Sequence, residues 1–267
     1  MHIKVIGRGQ PLVLLHGWAM HSGIFETLTD ELAKDFECWL VDLPGHGSSA
    51  DTEGLERVVV AENLLRRLPP ALWLGWSLGG LIALEAALMA PDRVIGLIEI
   101  ASSPRFVVAT DWPHAVEATV FARFGTDLAR DYPGTIERFL LLAVNGDDHA
   151  RRELRWLRER LAQRALCSKS ALEDGLRILG DTDLRTRLST LTSPSLWIAG
   201  QRDRLVPQAA MQSAATAAGG EFLRIDRAGH LPFLSQPARV ALAVREFARR
   251  SQVSSPDGEC YPPLSVR

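Results

Sequence analysis

The sequence predicts an α/β protein, a mostly parallel central sheet with helices on both faces and a helical lid inserted into it. Three observations predict it. Short apolar runs bounded by glycine or proline recur along the chain, and most are continuous rather than alternating, as in strands buried on both faces. Amphipathic segments of helical period lie between them. One long interval carries helical pattern only. The runs read as strands are His2–Ile6, Pro11–Leu15, Cys38–Leu43, Leu72–Trp76, Val94–Ile100, Ser195–Ala199 and Glu221–Ile225. The helices between them are Ile24–Lys34, Leu55–Leu68, Leu78–Met89, Gln208–Ala218 and Ala238–Arg249. From Pro104 to about Thr192 the chain reads as helices rich in Leu, Arg and aromatics. Residues 1–103 and 193–250 are therefore the expected core, 104–192 the lid, and the Ser- and Pro-rich 251–267 a flexible tail. No internal repeat is present.

At 267 residues with 46% apolar content the chain is long enough for one large core. A net charge of −2 gives no sign of nucleic-acid binding. Of the 30 basic residues 27 are arginines, which suits fixed ion pairs, although genome base composition explains such a bias equally well. The longest uncharged apolar-rich stretch, Ala71–Leu84, falls short of the ~20 residues a membrane span needs. The N-terminus reads as a charged strand, not a signal segment. Cys38, Cys167 and Cys260 are too few and too scattered for a disulfide framework or a metal site. A cytoplasmic, monomeric protein is expected.

Gly75-Trp76-Ser77-Leu78-Gly79-Gly80 carries the strongest chemistry. It follows an apolar strand and opens a helix, the context of a G-x-S-x-G nucleophile elbow, in which glycines clear room beside a strained serine. The plain alternative is a helix N-cap serine after a glycine turn. A serine hydroxyl needs a base, itself oriented by an acid. Of seven histidines (His2, His16, His21, His46, His114, His149, His230), His230 stands in Ala228-Gly229-His230-Leu231-Pro232-Phe233, between the last strand and the last helix. The acid belongs between serine and histidine in the chain. Asp203, in Gly200-Gln201-Arg202-Asp203 just beyond a strand, fits that order; Asp181, Asp183, Asp226 and Glu99 are its rivals. Oxyanion donors are expected from the backbone N–H of Leu78 and of Trp18, in the His16-Gly17-Trp18 loop after an early strand. His16 is read as a brace for that loop.

Gly45-x-Gly47-x-x-Ala50 formally matches a dinucleotide fingerprint, but Pro44 interrupts it and no acid-ending strand follows about 20 residues on, so a tight loop is the better reading. Asp147-Asp148-His149 is too compact and isolated to argue for a metal. No cofactor is implied.

Together, H-G-W, D-L-P-G-H-G-S, G-W-S-L-G-G, the Asp203 loop and G-H-L-P-F resemble the α/β-hydrolase superfamily over roughly Met1 to Arg249. Asp111-Trp112-Pro113 and Glu137-Arg138-Phe139-Leu140 in the lid resemble the pimeloyl-[acyl-carrier protein] methyl ester esterases of biotin synthesis in particular. The resemblance implies the α/β-hydrolase fold and cleavage of a methyl ester from a carrier-bound pimeloyl chain. It assigns Ser77, Asp203 and His230 as nucleophile, acid and base. It gives substrate contacts at Trp18, Leu78, His230 and the lid segment Phe139, Leu140, Leu141, Leu142 and Ala143. Ala143 departs from the glutamine the family pattern leads one to expect, which bears on the shape of the acyl channel. On a helix, Arg151, Arg155 and Arg158 share a face, with Arg138 preceding them in the lid. The resembled partner, an acyl-carrier protein, is acidic, so Arg138, Arg151 and Arg155 are expected to dock it. The alternative is a solvated face with arginines paired to Glu153 and Glu159.

Three rivals share the core residues. A broad short-chain carboxylesterase differs only in the lid, a C–C hydrolase turns over a dienone-type substrate, and a receptor on the same fold hydrolyses p-nitrophenyl acetate stoichiometrically at most.

Overall fold

The computed structural model describes residues 1–52, 54–164 and 167–253. Seven strands form one sheet: β1 (His2–Gly7), β2 (Gln10–Leu15), β3 (Phe36–Asp42), β4 (Ala71–Trp76), β5 (Val94–Ile100), β6 (Ser195–Gly200) and β7 (Glu221–Ile225). Their order is β1-β3-β2-β4-β5-β6-β7, antiparallel only where β1 meets β3. The continuous apolar runs take the middle of the sheet, where β4 and β6 are buried along their whole length. The edge strands β1 and β7 are largely half-buried or exposed, since helices cover each on part of its surface only.

Helices α1 (Glu26–Leu32), α2 (Arg57–Arg67), α3 (Leu78–Met89), α8 (Gln208–Ala217), α9 (Pro232–Ser235) and α10 (Pro237–Val253) flank the sheet, and the helices numbered between α3 and α8 lie in the chain between β5 and β6. On β5, Gly96 faces Phe247 of α10 and Glu99 faces Gly80 of α3. An odd separation along a strand reverses the face, so α10 and α3 cover opposite sides. Most of α3 is buried all round, as its uncharged sequence dictates apart from Glu85, which Arg57 and Arg187 neutralise. Helix α10 runs on through Ser251, whose hydroxyl donates to the Phe247 carbonyl (3.0 Å). Residues 251–253 of the expected tail are thus helical, and 254–267, Cys260 among them, lie outside the described residues.

Between β5 and β6 come α4 (Ala118–Arg130), α5 (Tyr132–Val144), α6 (Ala150–Ala162) and α7 (Lys169–Asp181), then a 3-10 turn, Arg185–Thr190. Asp131 caps α5 through the Gly134 N–H (3.0 Å) and Ser168 caps α7 through that of Ala171 (3.2 Å). Leu172, Leu176 and Leu179 fall at i, i+4 and i+7 and form the inward stripe of α7. Just after α6, Arg164 ties the segment to the buried Asp42 carboxylate (2.6 Å), which also accepts the Ser22 and Ser48 N–H groups.

Candidate active site

Ser77, Asp203 and His230 each stand just beyond the carboxyl end of a parallel strand, β4, β6 and β7 in turn, where such sheets hold their ligands. Ser77 has φ 54° and ψ −118°, a left-handed conformation that a side chain adopts only under compulsion. The compulsion is local crowding, because a Cβ at Gly75 would overlap the Gly80 backbone. From behind, the Ile100 carbonyl accepts the Ser77 N–H (3.1 Å) and Ser102 Oγ donates to the Ser77 carbonyl (2.9 Å). The hydroxyl makes no capping bond to α3, so the N-cap alternative does not describe this serine.

Asp203 is held on both oxygens. Oδ1 accepts the N–H groups of Leu205 (2.8 Å) and Val206 (3.0 Å), and Oδ2 lies 2.8 Å from His230 Nδ1. The rival carboxylates are engaged or placed elsewhere. Asp183 is bound by Arg105 and Arg185, Asp226 by Arg224, and Asp181 is exposed at the end of α7. Glu99 is buried beneath the elbow beside Gly80, where burial pushes its carboxyl up to about 8, so it is neutral at pH 7.

His230 is 1% exposed and fixed at its backbone on both sides. Its N–H donates to the Ala143 carbonyl (3.2 Å), and its carbonyl accepts the indole N–H of Trp76 (2.9 Å). With Nδ1 turned to Asp203, Nε2 has no partner among the described residues and is the ring's free acceptor. Ser77 and His230 line one cavity, which Trp18, Phe124, Phe139 and Leu176 wall with apolar surface. It is narrow, about 30 Å³.

The Gly17–Trp18 loop passes beside the serine: a Cβ at Gly17 would come within 2.8 Å of the Trp76 ring and 3.2 Å of the Ser77 Cβ. Neither the Trp18 nor the Leu78 backbone N–H donates to a protein acceptor among the described residues. His16 braces this loop. Its Nε2 accepts the Leu43 N–H (3.0 Å) and its Nδ1 donates to the Gly17 carbonyl (2.9 Å). Burial, with His46 close by, pushes His16 down to about 3, which keeps it neutral for that paired role. The Trp18 indole donates to the Leu172 carbonyl (2.8 Å) and meets Phe139 edge to face (5.0 Å, 83°), linking the core to the insertion.

The segment Phe139–Ala143 does not act as one wall. Phe139 lines the cavity, Leu140 is buried away from it, Leu142 is half-buried and Leu141 is 47% exposed. All five lie on α5, and an α-helix turns about 100° per residue, so consecutive positions cannot share a face. Ala143 meets the site through its carbonyl, on the His230 N–H. Sequence reading missed Val120, Phe121 and Phe124 of α4 and Leu176 and Leu179 of α7, which also line the cavity. Their helical spacing was the available signal.

The arginines divide. Arg138 is engaged within the insertion, by Thr135 (2.8 Å), Asp131 (3.4 Å) and Asp127 (3.5 Å). Arg158 pairs with Glu137. Arg151 and Arg155 are exposed and carry no ion pair among the described residues. Glu153 is buried, so it does not neutralise the surface as the alternative reading required. Asp147 accepts two backbone N–H groups and Asp148 pairs with Arg202 and Arg227. Among the described residues no three His, Cys, Asp or Glu side chains converge as metal ligands.

The model of the alpha/beta hydrolase family matches residues 12–244. The chain is 55% identical over 249 residues to a pimeloyl-[acyl-carrier protein] methyl ester esterase of Stenotrophomonas maltophilia, covering 92% of this chain and 96% of that protein. It is equally identical, over 92% of its length and 98% of the relative's, to the protein of that name from Xanthomonas campestris pv. campestris. Among solved structures, an esterase from Exiguobacterium antarcticum superposes with a TM-score of 0.83 at 23% identity, over 93% of this chain and 95% of that one, a likeness of fold. With its elbow serine beyond β4 and more than half its residues shared with these relatives along nearly the whole chain, the protein belongs to the alpha/beta hydrolase family, among the pimeloyl-[acyl-carrier protein] methyl ester esterases.

Proposed function

We propose that this chain is a serine carboxylesterase that hydrolyses the methyl ester of pimeloyl-[acyl-carrier protein] to pimeloyl-[acyl-carrier protein] and methanol, in biotin synthesis. The observation that carries the chemistry is the bond from His230 Nδ1 to a doubly anchored Asp203, which leaves Nε2 free in the cavity lined by Ser77. The relatives' shared name supports the substrate.

In this reading Ser77 Oγ attacks the ester carbonyl as His230 Nε2 takes its proton, and Asp203 stabilises the imidazolium. The developing oxyanion accepts from the Trp18 and Leu78 N–H groups, a role supported by their having no acceptor among the described residues. Collapse expels methanol, protonated by His230. Water then attacks the acyl-enzyme with His230 again as base, releasing the acid and restoring Ser77. The acyl chain lies along Trp18, Phe139 and Leu176, and since the cavity is about 30 Å³ those side chains part to admit it. The carrier docks on the exposed Arg151 and Arg155, whereas Arg138 is held by Thr135, Asp131 and Asp127. We place the enzyme in the cytoplasm, where Cys38 and Cys167, both buried free thiols, persist as such. Among the described residues no helix is long and apolar enough to cross a membrane.

The test is to compare kcat/KM for the carrier-bound methyl ester with that for p-nitrophenyl esters of graded chain length. The proposal expects the carrier-bound ester to lead by orders of magnitude. A short p-nitrophenyl ester turned over as efficiently would point to a broad carboxylesterase.

A further inference from the structure

The turn between α5 and α6 grips the loops that carry the acid and the base. Arg202, beside Asp203, donates to the Gly146 carbonyl (3.2 Å) and pairs with Asp148 (2.7 Å), while Arg227 reaches the same carboxylate from the base loop. The Ala143 carbonyl takes the His230 N–H. Between these contacts stands Asp147, 9% exposed. Its Oδ1 accepts the His149 N–H (2.8 Å) and its Oδ2 accepts that of Gly229 (3.1 Å), the residue preceding His230. Gly229 has little freedom of its own, for a Cβ there would stand 3.2 Å from the Asn145 carbonyl and 3.4 Å from that of Ala143.

Behind Asp147 lies Glu153 of α6, 2% exposed, with neither carboxyl oxygen given a donor by the described residues. Asp147 faces it. A buried carboxylate with no donor is costly, and two facing carboxylates do not both stay ionised. One proton on Glu153 resolves both problems, since it supplies a donor to Asp147. Burial first, and Asp147 second, raise the Glu153 carboxyl to about 8. Arg152 on the same helix opposes the rise. The other charged groups packed on α6 act further along it: Glu137 of α5 is bound by Arg158, and His21, at the 3-10 turn Ser22–Phe25, bonds to the Arg160 carbonyl (3.0 Å).

We propose that Asp147 is a positioning residue for His230, with the buried carboxyl of Glu153 as its partner, the two holding the Gly229–His230 backbone from the inserted helices so that the imidazole keeps its place in the cavity that Ser77 also lines. The proposal rests on the reading of His230 as the base. Loss of the Glu153 proton sets two carboxylates against each other and pulls Asp147 off the Gly229 N–H. The enzyme then loses turnover at alkaline pH for a reason outside Ser77, His230 and Asp203.

The test measures kcat and KM for p-nitrophenyl butyrate from pH 6 to 9.5, with melting curves, in the wild type, Asp147→Asn and Glu153→Gln; Ser77→Ala supplies the baseline. The wild-type kcat is expected to fall above about pH 8. Glu153→Gln keeps a donor at every pH, so its kcat, scaled to its own value at pH 7, stays level. Asp147→Asn lowers kcat by about 10- to 100-fold with KM little changed, the signature of a misaimed base. An alkaline fall that persists in Glu153→Gln, or a wild-type kcat in Asp147→Asn, overturns the proposal. Because Glu153→Gln is nearly isosteric, its pH profile decides the matter even if Asp147→Asn folds poorly. A failure of the functional reading looks different: the carrier-bound ester is not cleaved, or Ser77→Ala is fully active.

Discussion

Replacing Asp203 with asparagine changes one oxygen to an amide nitrogen, and the surroundings dictate which way that amide points. Oδ1 accepts two backbone N–H groups, from Leu205 and Val206, at 2.8 and 3.0 Å. An asparagine keeps its only oxygen there, because the flipped amide would set its NH₂ against two donors. The NH₂ then faces His230 Nδ1, 2.8 Å from the replaced atom, and Nδ1 becomes an acceptor. The ring proton moves to Nε2, which then has no lone pair to take the serine proton. Wrong tautomer and lost imidazolium stabilisation together are expected to lower kcat by about 10⁴-fold. Stability should hardly move, since both backbone bonds survive, and a loss within about 1 kcal/mol is expected. The assay is steady-state hydrolysis of p-nitrophenyl butyrate beside a thermal melt, with Glu99→Gln as control. More than a tenth of wild-type kcat in Asp203→Asn, or a collapse in Glu99→Gln instead, would refute the reasoning.

Three further outcomes follow from the same geometry. Trp76→Phe removes the donor to the buried His230 carbonyl, at a cost of about 1–3 kcal/mol. Its Tm should drop by roughly 3 to 10 °C and its kcat should fall as well, so a variant unchanged in both contradicts the anchoring role. Glu99 holds its proton in the folded state up to about 8 but releases it near 4.5 when unfolded. The unfolded chain therefore binds fewer protons between those values, and stability declines as pH rises through that window. Glu99→Gln removes this slope, so its Tm relative to wild type should be higher at pH 8 than at pH 5; an equal difference at both would show that Glu99 does not titrate this way. Reversing the charges of Arg151 and Arg155, both free of ion pairs within the described residues, should raise KM for the carrier-bound ester by on the order of tenfold at low salt and progressively less as salt screens the attraction. Hydrolysis of p-nitrophenyl butyrate should not respond, and equal losses on both substrates would mean that the insertion itself was damaged. Arg138 is left out because Asp127, Asp131 and Thr135 hold it.

Much of the core was legible because its signals are local. A buried strand followed by a glycine-flanked serine has few other meanings, and the acid and base loops lie directly after apolar runs whose ends the structure places within a residue or two. The pairing of β1 was not legible: two residues separate β1 from β2, yet β1 joins β3 on the far side, a choice made by the sheet as a whole. Within the segment Phe139–Ala143 only Phe139 lines the cavity, because neighbours on a helix stand about 100° apart, a separation that a run of consecutive residues does not announce. Glu153 was counted as a surface charge, although Ala150 and Leu157, three residues before it and four after, mark its side of α6 as the packed one. The indole of Trp76 on the His230 carbonyl spans 154 residues, and no local pattern announces a contact of that kind.

The most direct test of the central claim is methanol release from the methyl ester of pimeloyl-[acyl-carrier protein], followed in wild type and Ser77→Ala at matched protein concentration. The account predicts repeated turnover by the wild type and a loss of about 10⁴- to 10⁶-fold in the variant, with the fold retained because the Ser77 hydroxyl makes no capping bond to α3. Methanol release by Ser77→Ala at more than a tenth of the wild-type rate, or none from the wild type on this ester, would contradict it.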